Sequence, residues 1–370
     1  MQTIQELRNL NIRSAMNSGA DVLGKFYEVF LKYGNGAKEI GIVLTPRHIT
    51  KFAVEAIGIT NQDYVYDPTC GTGGFLVAAF DRVKQFSNAT QVNRFKKFNL
   101  FGVDQEPEVV ALAIVNMIFR GDGKNNIAEG NCFQRNLVRS TNGNVITAKY
   151  SSEPPTSDAQ VITKVLMNPP FALKTSDEKE YKFIDVALRQ MQDGGILFSV
   201  LPYSAMVKPG TYQHWRKNTL LANNTLLCVI TFPQDLFYPI GVHTVGVFVK
   251  KGITHSSKQN VLWIRALNDG LLKSKGKRLP NPKAKNDYEG IIDTVKAFLT
   301  NQSFKVENVD RFQKASPIDF DDPMLELVPE NYLDQELPTD DEIRDGIEQV
   351  VRDSVAFLIK AKKEDEAKTR

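Results

Sequence analysis

Short apolar runs rich in β-branched and aromatic residues alternate with longer stretches of helical periodicity along most of this 370-residue chain. The runs at 64–67, 100–104, 126–129, 164–167, 196–201, 226–231 and 244–250 read as strands. Between them, apolar positions recur at three- and four-residue spacing. That spacing predicts helices over about 45–57, 73–86 and 180–192, and another opening at Pro107 with Val109, Val110, Leu112, Ala113, Val115 and Met117 on it. Strands alternating with helices predict an α/β fold: a doubly wound, mainly parallel, seven-stranded sheet covered on both faces. The connection between the last two strands is too short for a long crossover helix, so 244–250 is expected to pair antiparallel.

The same pattern sets the organisation. Residues 1–40 predict a short helical lead-in, with Val22, Phe26, Val29, Phe30 and Tyr33 at helical spacing and Gly34-Asn35-Gly36 as its stop. Residues 41–260 form the main domain. Within it, 139–160 reads as a surface insertion with a hairpin-type turn at Thr141-Asn142-Gly143-Asn144. Strand signals thin out after 260, so 261–335 is expected as an irregular extension. Its Lys- and Arg-rich run at 273–285 is expected as an exposed basic loop. In the final segment, 336–370, a helix over about 340–363 gathers Ile343, Ile347, Val350, Val351, Phe357 and Leu358 on one face. That face either docks on its own domain or meets a partner helix.

Composition narrows the classes. Net charge is +3, which allows a local basic face for nucleic acid without announcing one. No apolar run reaches membrane-span length and the N-terminus has no apolar signal core, so a cytoplasmic protein away from membranes is expected. Cys70, Cys132 and Cys228 are too scattered for a disulfide frame or a zinc knuckle, and the four histidines have no metal-ligand spacing; no metal is expected.

Candidate chemistry begins at Asp67-Pro68-Thr69-Cys70-Gly71-Thr72-Gly73-Gly74-Phe75, a strand end, a loop of small residues and a helix start. Glycines let the backbone turn sharply and let a ligand lie against the main chain, and the new helix offers free N–H groups. A phosphate-cradling loop needs a Gly-Lys-Ser/Thr ending, and none is present. The dinucleotide fingerprint wants a third glycine where Leu76 stands. Asp67 at the strand's carboxyl end instead suits a ligand carrying an ammonium group, such as S-adenosylmethionine. Asp104, ending the second strand, stands where doubly wound sheets bind ribose hydroxyls. Upstream, Thr45 is a good N-cap and Pro46 suits the first helical position, giving a helix start that could bind a carboxylate in the same pocket.

The second candidate is Asn168-Pro169-Pro170-Phe171, at the end of the fourth strand. Prolines lack an N–H, so nearby carbonyls point outward as acceptors, and the Asn168 side-chain oxygen adds another. Together they can hold both hydrogens of a planar amine while Phe171 stacks on its ring. Two acceptors in line favour pyramidalisation and free the amine's lone pair toward an electrophile.

These two motifs resemble the cofactor and catalytic motifs of N6-adenine DNA methyltransferases, most nearly the methylation subunit of type I restriction–modification systems. The order of the motifs, with Leu44-Thr45-Pro46-Arg47 before both, is similar to the gamma arrangement of that family. The resemblance covers about residues 20–300 and implies a class I S-adenosylmethionine-dependent methyltransferase fold. It implies that Leu44, Thr45, Pro46 and Arg47 contact the methionine end of the cofactor. Asp67, Gly71, Thr72, Gly73 and Gly74 would line its pocket, Asp104 would hold its ribose, and Asn168 through Phe171 would grip a flipped adenine. Asn131 stands where many such enzymes have an acidic residue against the cofactor's adenine. Phe232, Pro233 and Phe237 resemble the family's late motif beside the target base. Double-stranded DNA, a separate specificity subunit and a restriction subunit are the implied partners, because no stretch of the chain reads as a target-recognition domain. Other planar amines, in RNA or on a glutamine side chain, fit the same acceptors, and a non-catalytic cofactor- or DNA-binding subunit is the remaining alternative.

Overall fold

Val65–Asp67 (β1) is only three residues long, yet it is flanked on both sides and wholly buried. It pairs parallel with Leu100–Asp104 (β2) on one side, Val65 opposite Leu100. On the other it pairs parallel with Ile162–Met167 (β6), Val65 opposite Lys164. Beyond β2 lies Ile127–Glu129 (β3), also parallel. Because the chain runs outward from β1 to β3 and then returns to β6, the carboxyl ends of β1 and β6 flank the point where the winding reverses. In open α/β sheets this is where ligands bind.

The computed structural model describes residues 44–119, 126–171, 179–238, 241–274 and 277–334 and, within 340–355, all but 342, 349 and 353. The expected lead-in at 1–40 lies outside the described residues.

The sheet continues past β6 through Met191–Pro202 (β7), parallel to β6, and then Thr244–Lys251 (β9), antiparallel to β7 as expected. Asn224–Thr231 (β8) lies on the far side of β9. All eight residues of β8 are buried, as expected for a strand covered on both faces. Two further strands follow: Asn260–Arg265 (β10), parallel to β8, and Gln313–Pro317 (β13), antiparallel to β10. The full order is β13-β10-β8-β9-β7-β6-β1-β2-β3, nine strands instead of the seven expected. Both additions come from the region read as an irregular extension. Val261, Leu262, Trp263 and Ile264 are wholly buried, but four consecutive apolar residues between polar loops gave a weak strand signal.

Alternation along each strand sends side chains to two cores. Val65 and Leu166 face one, with helices Arg47–Ile57 (α1), Gly74–Phe86 (α2), Ala89–Phe98 (α3), Pro107–Phe119 (α4) and Tyr288–Thr300 (α6) packed against it. Tyr66, Val165 and Met167 face the other, under Glu180–Gln190 (α5), the short helical turns at 203–221 and a hairpin of Asn136–Asn142 (β4) and Val145–Ser151 (β5). That hairpin is the expected insertion and turns at Asn142-Gly143-Asn144. Tyr150 from it donates to the carbonyls of Gly102 and Asn126, binding it to the back of β2 and β3.

The expected basic loop is a second two-stranded ribbon, Leu271–Ser274 (β11) paired with Lys277–Pro280 (β12). It leaves the carboxyl end of β10, and its base is closed where Asn268 N–H and Nδ2 both donate to Asp287. The segment from 334 onward forms a separate unit, helical at its described residues between 340 and 355. Phe357 and Leu358, expected on its apolar face, lie outside the described residues. No described helix is long and apolar enough to cross a membrane.

Candidate active site at the carboxyl ends of β1 and β6

The glycine loop is built by the backbone. Cys70 N–H donates to Val103 O on the neighbouring strand, and Gly73 N–H donates back to Cys70 O. Gly71 and Gly73 have φ values of 53° and 82°, the left-handed region that side chains disfavour, and α2 opens directly after them at Gly74. A Cβ added to Gly71 would meet nothing within 4 Å, so the main chain there is open to a ligand. The loop is also pinned from outside: Asn116 of α4, almost fully buried, donates from Nδ2 to Thr72 O at 2.8 Å. Sequence reasoning missed Asn116. The available signal was one amide among the apolar positions Val109, Val110, Ala113 and Met117 of the same helix.

Two carboxylates border the loop. Asp104 accepts Gly71 N–H at 2.9 Å and Glu106 N–H at 3.1 Å. Partial burial raises its carboxyl above the ordinary range, and those backbone N–H groups oppose the shift. Asp67 is 1% exposed and accepts Thr69 N–H at 3.1 Å. Burial pushes its carboxyl well up; the Thr69 N–H opposes this and the nearby Asp104 charge adds to it. The buried Thr69 Oγ1 without a partner is a further polar atom available there.

Across from the loop, Asn168 follows β6 directly. Its Nδ2 donates to Thr45 Oγ1 at 2.9 Å, across 123 residues of sequence. Its Oδ1 is buried and has no partner. With the amide's donor end held by Thr45, the acceptor end is aimed and free. Thr45 was expected as the N-cap of α1, and this expectation is corrected. The helix starts at Arg47 behind Pro46 with no side-chain cap, and the Thr45 hydroxyl serves Asn168 instead. Pro169 is buried. Phe171 is half-buried, its ring meeting Phe237 edge-on at 5.6 Å between centroids and 82° between planes.

The expected site residues therefore fall into connected and unconnected groups. Asp67, Gly71–Gly74 and Asp104 share one hydrogen-bonded loop, Thr45 and Asn168 are joined directly, and β1 and β6 bring both groups to one edge. Leu44, Pro46 and Arg47 surround Thr45 at the start of α1, half-buried. Asn131 follows the edge strand β3, and its Oδ1 closes a turn by accepting Phe133 N–H at 2.9 Å. Phe232 is wholly buried in the core, and of the late segment it is Phe237 that reaches Phe171.

A match to the N-6 DNA methylase family spans residues 18–336. Among curated relatives, the type II restriction enzyme and methyltransferase RM.BcgI of Heyndrickxia coagulans is 38% identical over 260 residues, covering 69% of this chain and 38% of the relative. The methylase subunit of the type I restriction enzyme EcoEI of Escherichia coli is 25% identical over 342 residues, covering 87% and 65%. The chain thus spans less than two thirds of the length of either. Among solved structures, the M protein of the type I restriction enzyme EcoKI superposes with a TM-score of 0.56 at 20% identity, covering 74% of this chain and 57% of that one, a likeness of fold.

Proposed function

Because the chain belongs to the N-6 DNA methylase family, we propose that it transfers a methyl group from S-adenosylmethionine to the N6 amine of adenine in double-stranded DNA. In this reading it acts as the modification subunit of a restriction–modification complex, beside a separate specificity subunit and a restriction subunit. Relatives named as methylase subunits of type I restriction enzymes support that place in a complex.

The observation that carries the reading is the Asn168 amide, its Nδ2 held by Thr45 and its Oδ1 buried without a partner. A buried acceptor left empty costs about 1–3 kcal/mol unless a ligand donor fills it. An exocyclic amine has two hydrogens to give. Asn168 Oδ1 takes one and the carbonyl of Pro169, fixed in direction by the Pro170 ring, is suited to the other. Phe171, steadied edge-on by Phe237, offers its face to the base. Holding both hydrogens orients the nitrogen and localises its lone pair.

The donor side fits S-adenosylmethionine by the chemistry of its groups. Asp67 can meet an ammonium, the open backbone at Gly71–Gly74 a close-lying ligand, and Asp104 the ribose hydroxyls. In this reading Leu44 through Arg47 would border the methionine end, and Asn131 would stand toward the adenine. When bound, S-adenosylmethionine supplies the electrophilic methyl group. The chain's own contribution is to align the two sides and exclude water from between them.

Incubation of the protein with labelled cofactor and either unmethylated DNA, RNA or a glutamine-bearing protein substrate tests this directly. Label on adenine N6 is expected. Label confined to RNA or protein sinks the proposal.

A further inference from the structure

Arg278 sits on β12, in the basic run that sequence alone reads as a solvated loop, yet its side chain is only 8% exposed. Its guanidinium forks onto Asp269, Nη1 to Oδ2 and Nη2 to Oδ1, both at 2.7 Å. Nη2 also lies 3.2 Å from Asp235 Oδ1. Asp269 itself is 1% exposed at the side chain and accepts Leu271 N–H at 3.2 Å. On its other side, His48 Nε2 lies 3.0 Å from Asp269 Oδ2, at ion-pair distance. The His48 ring is backed edge-on by Tyr288, 5.7 Å away, which also abuts Phe52 of α1. Burial alone would raise the Asp269 carboxyl, but His48 and Arg278 outweigh it and hold it at about 2, an ionised centre for the cluster.

Two of these anchors stand in revealing places. His48 is three residues beyond Thr45, which holds the Asn168 amide. Asp235 is two residues before Phe237, which steadies the Phe171 ring. The ribbon leaves the carboxyl end of β10. Since β10 runs parallel to β8, and β8 to β1 and β6 through the antiparallel β9, this is the sheet edge that carries Asp67 and Asn168. Both side-chain supports of the amine pocket thus belong to segments tied to one guanidinium.

We infer that Arg278 is a positioning residue for methyl transfer: through Asp269–His48 and Asp235 it locks the Thr45 segment and the Phe237 loop into the arrangement that holds the target base. The inference rests on the proposed adenine methylation and adds to it a determinant outside both motifs. An arginine is required because only its planar fork can hold two carboxylates at once with bidentate geometry on one of them. Without it, Asp269 is left buried beside His48 and the Phe237 loop loses its charged tether.

The test uses the full chain carrying Arg278→Met or Arg278→Lys. Measured are transfer of labelled methyl to unmethylated plasmid DNA, S-adenosylmethionine affinity by calorimetry, and amide hydrogen exchange of 44–50 and 233–238. With Arg278→Met, transfer at saturating cofactor is expected to fall at least ~10-fold, more steeply than cofactor affinity, which drops only as far as Leu44–Arg47 border the methionine end, and exchange quickens in both segments. Arg278→Lys is expected to restore part of the rate. Transfer within about twofold of the unsubstituted chain overturns the inference, as does unchanged exchange in either segment. An equal loss of cofactor affinity also overturns it, because that is the mark of a general structural role. Should Arg278→Met fail to fold, Asp235→Ala removes the loop-side carboxylate and leaves the Asp269–His48 side in place. It should slow transfer several-fold and quicken exchange in 233–238 alone, and no change in either refutes the tether. If the unsubstituted chain labels no DNA adenine even when a specificity subunit is supplied, the proposed function fails, and hydrogen exchange still decides whether the clamp exists.

Discussion

The two sides of the proposed methyl-transfer pocket are held by different means. The donor side is mainly a backbone structure: Asp104 and Asp67 accept main-chain N–H groups from the strand-to-helix turns after β1 and β2, with a side-chain pin from Asn116 onto Thr72 O. The acceptor side is a side-chain structure, assembled from segments far apart in sequence: Thr45 on Asn168 and Phe237 on Phe171. A backbone site is fixed once its strand and helix form. A side-chain site depends on distant segments staying in place, so substitutions outside its motif can disable it. The difference predicts that damage on the acceptor side lowers turnover with cofactor binding preserved, whereas damage on the donor side lowers cofactor affinity.

The largest break comes from Asn168→Ala. Losing the aimed acceptor is expected to reduce methyl transfer by roughly 10²–10³-fold, the range for removing a preorganised polar group at a reacting centre. Calorimetric cofactor affinity should change by no more than about threefold. Comparable transfer in the variant would mean that the amine is held elsewhere.

Asp104→Ala should break the other side. A hydrogen bond to a charged group contributes about 1.5–3 kcal/mol, so cofactor affinity is expected to fall roughly 10- to 100-fold. Asp104→Asn keeps an acceptor for Gly71 N–H and should lose less. If turnover at saturating cofactor falls as steeply as affinity, the two sides are not separable and the comparison fails.

Thr45→Val sharpens the acceptor side. It leaves the Asn168 Nδ2 without its partner and the amide free to rotate, an effect of about 1–2 kcal/mol or roughly 5- to 30-fold in turnover. Thr45→Ser keeps the hydroxyl and should retain most activity. Equal rates for Val and Ser at this position would show that the hydrogen bond does not aim the amide.

The same contrast explains what could be read from the sequence. Contiguous features were readable: the Asp67–Phe75 turn, the alternation of strands and helices, the antiparallel β9, and the hairpin at 136–151 all follow from local periodicity and turn chemistry. What escaped was pairing across long separations. Thr45 reads as a cap because a threonine before Pro46 ordinarily caps, and nothing nearby reveals a partner 123 residues away. Arg278 reads as solvated because its neighbours in sequence are lysines, whereas its partners are Asp269 and Asp235. β10 was missed because its apolar run is only four residues long, and β13 because an edge strand such as Gln313–Pro317 needs no apolar run once a sheet exists to receive it. Asn116 was hidden by the apolar company it keeps on α4.

The smallest expected effect is a proton count, and it bears on the donor side alone. In the free protein, burial raises the Asp67 carboxyl well above the ordinary range, so Asp67 holds its proton to higher pH than an exposed aspartate. An ammonium group brought beside it favours the carboxylate and pulls that value down. Binding therefore releases protons, and affinity is greatest above the raised value and declines as pH falls through it, by no more than about tenfold per pH unit for one coupled group. Calorimetry of S-adenosylmethionine binding in two buffers of different ionisation enthalpy reads the proton release directly. Asp67→Asn, which cannot titrate, should bind with lower affinity, release fewer protons and show a flatter pH dependence. Equal proton release from both proteins would separate Asp67 from the cofactor's ammonium. The donor side would then rest on Asp104 and the open glycine backbone.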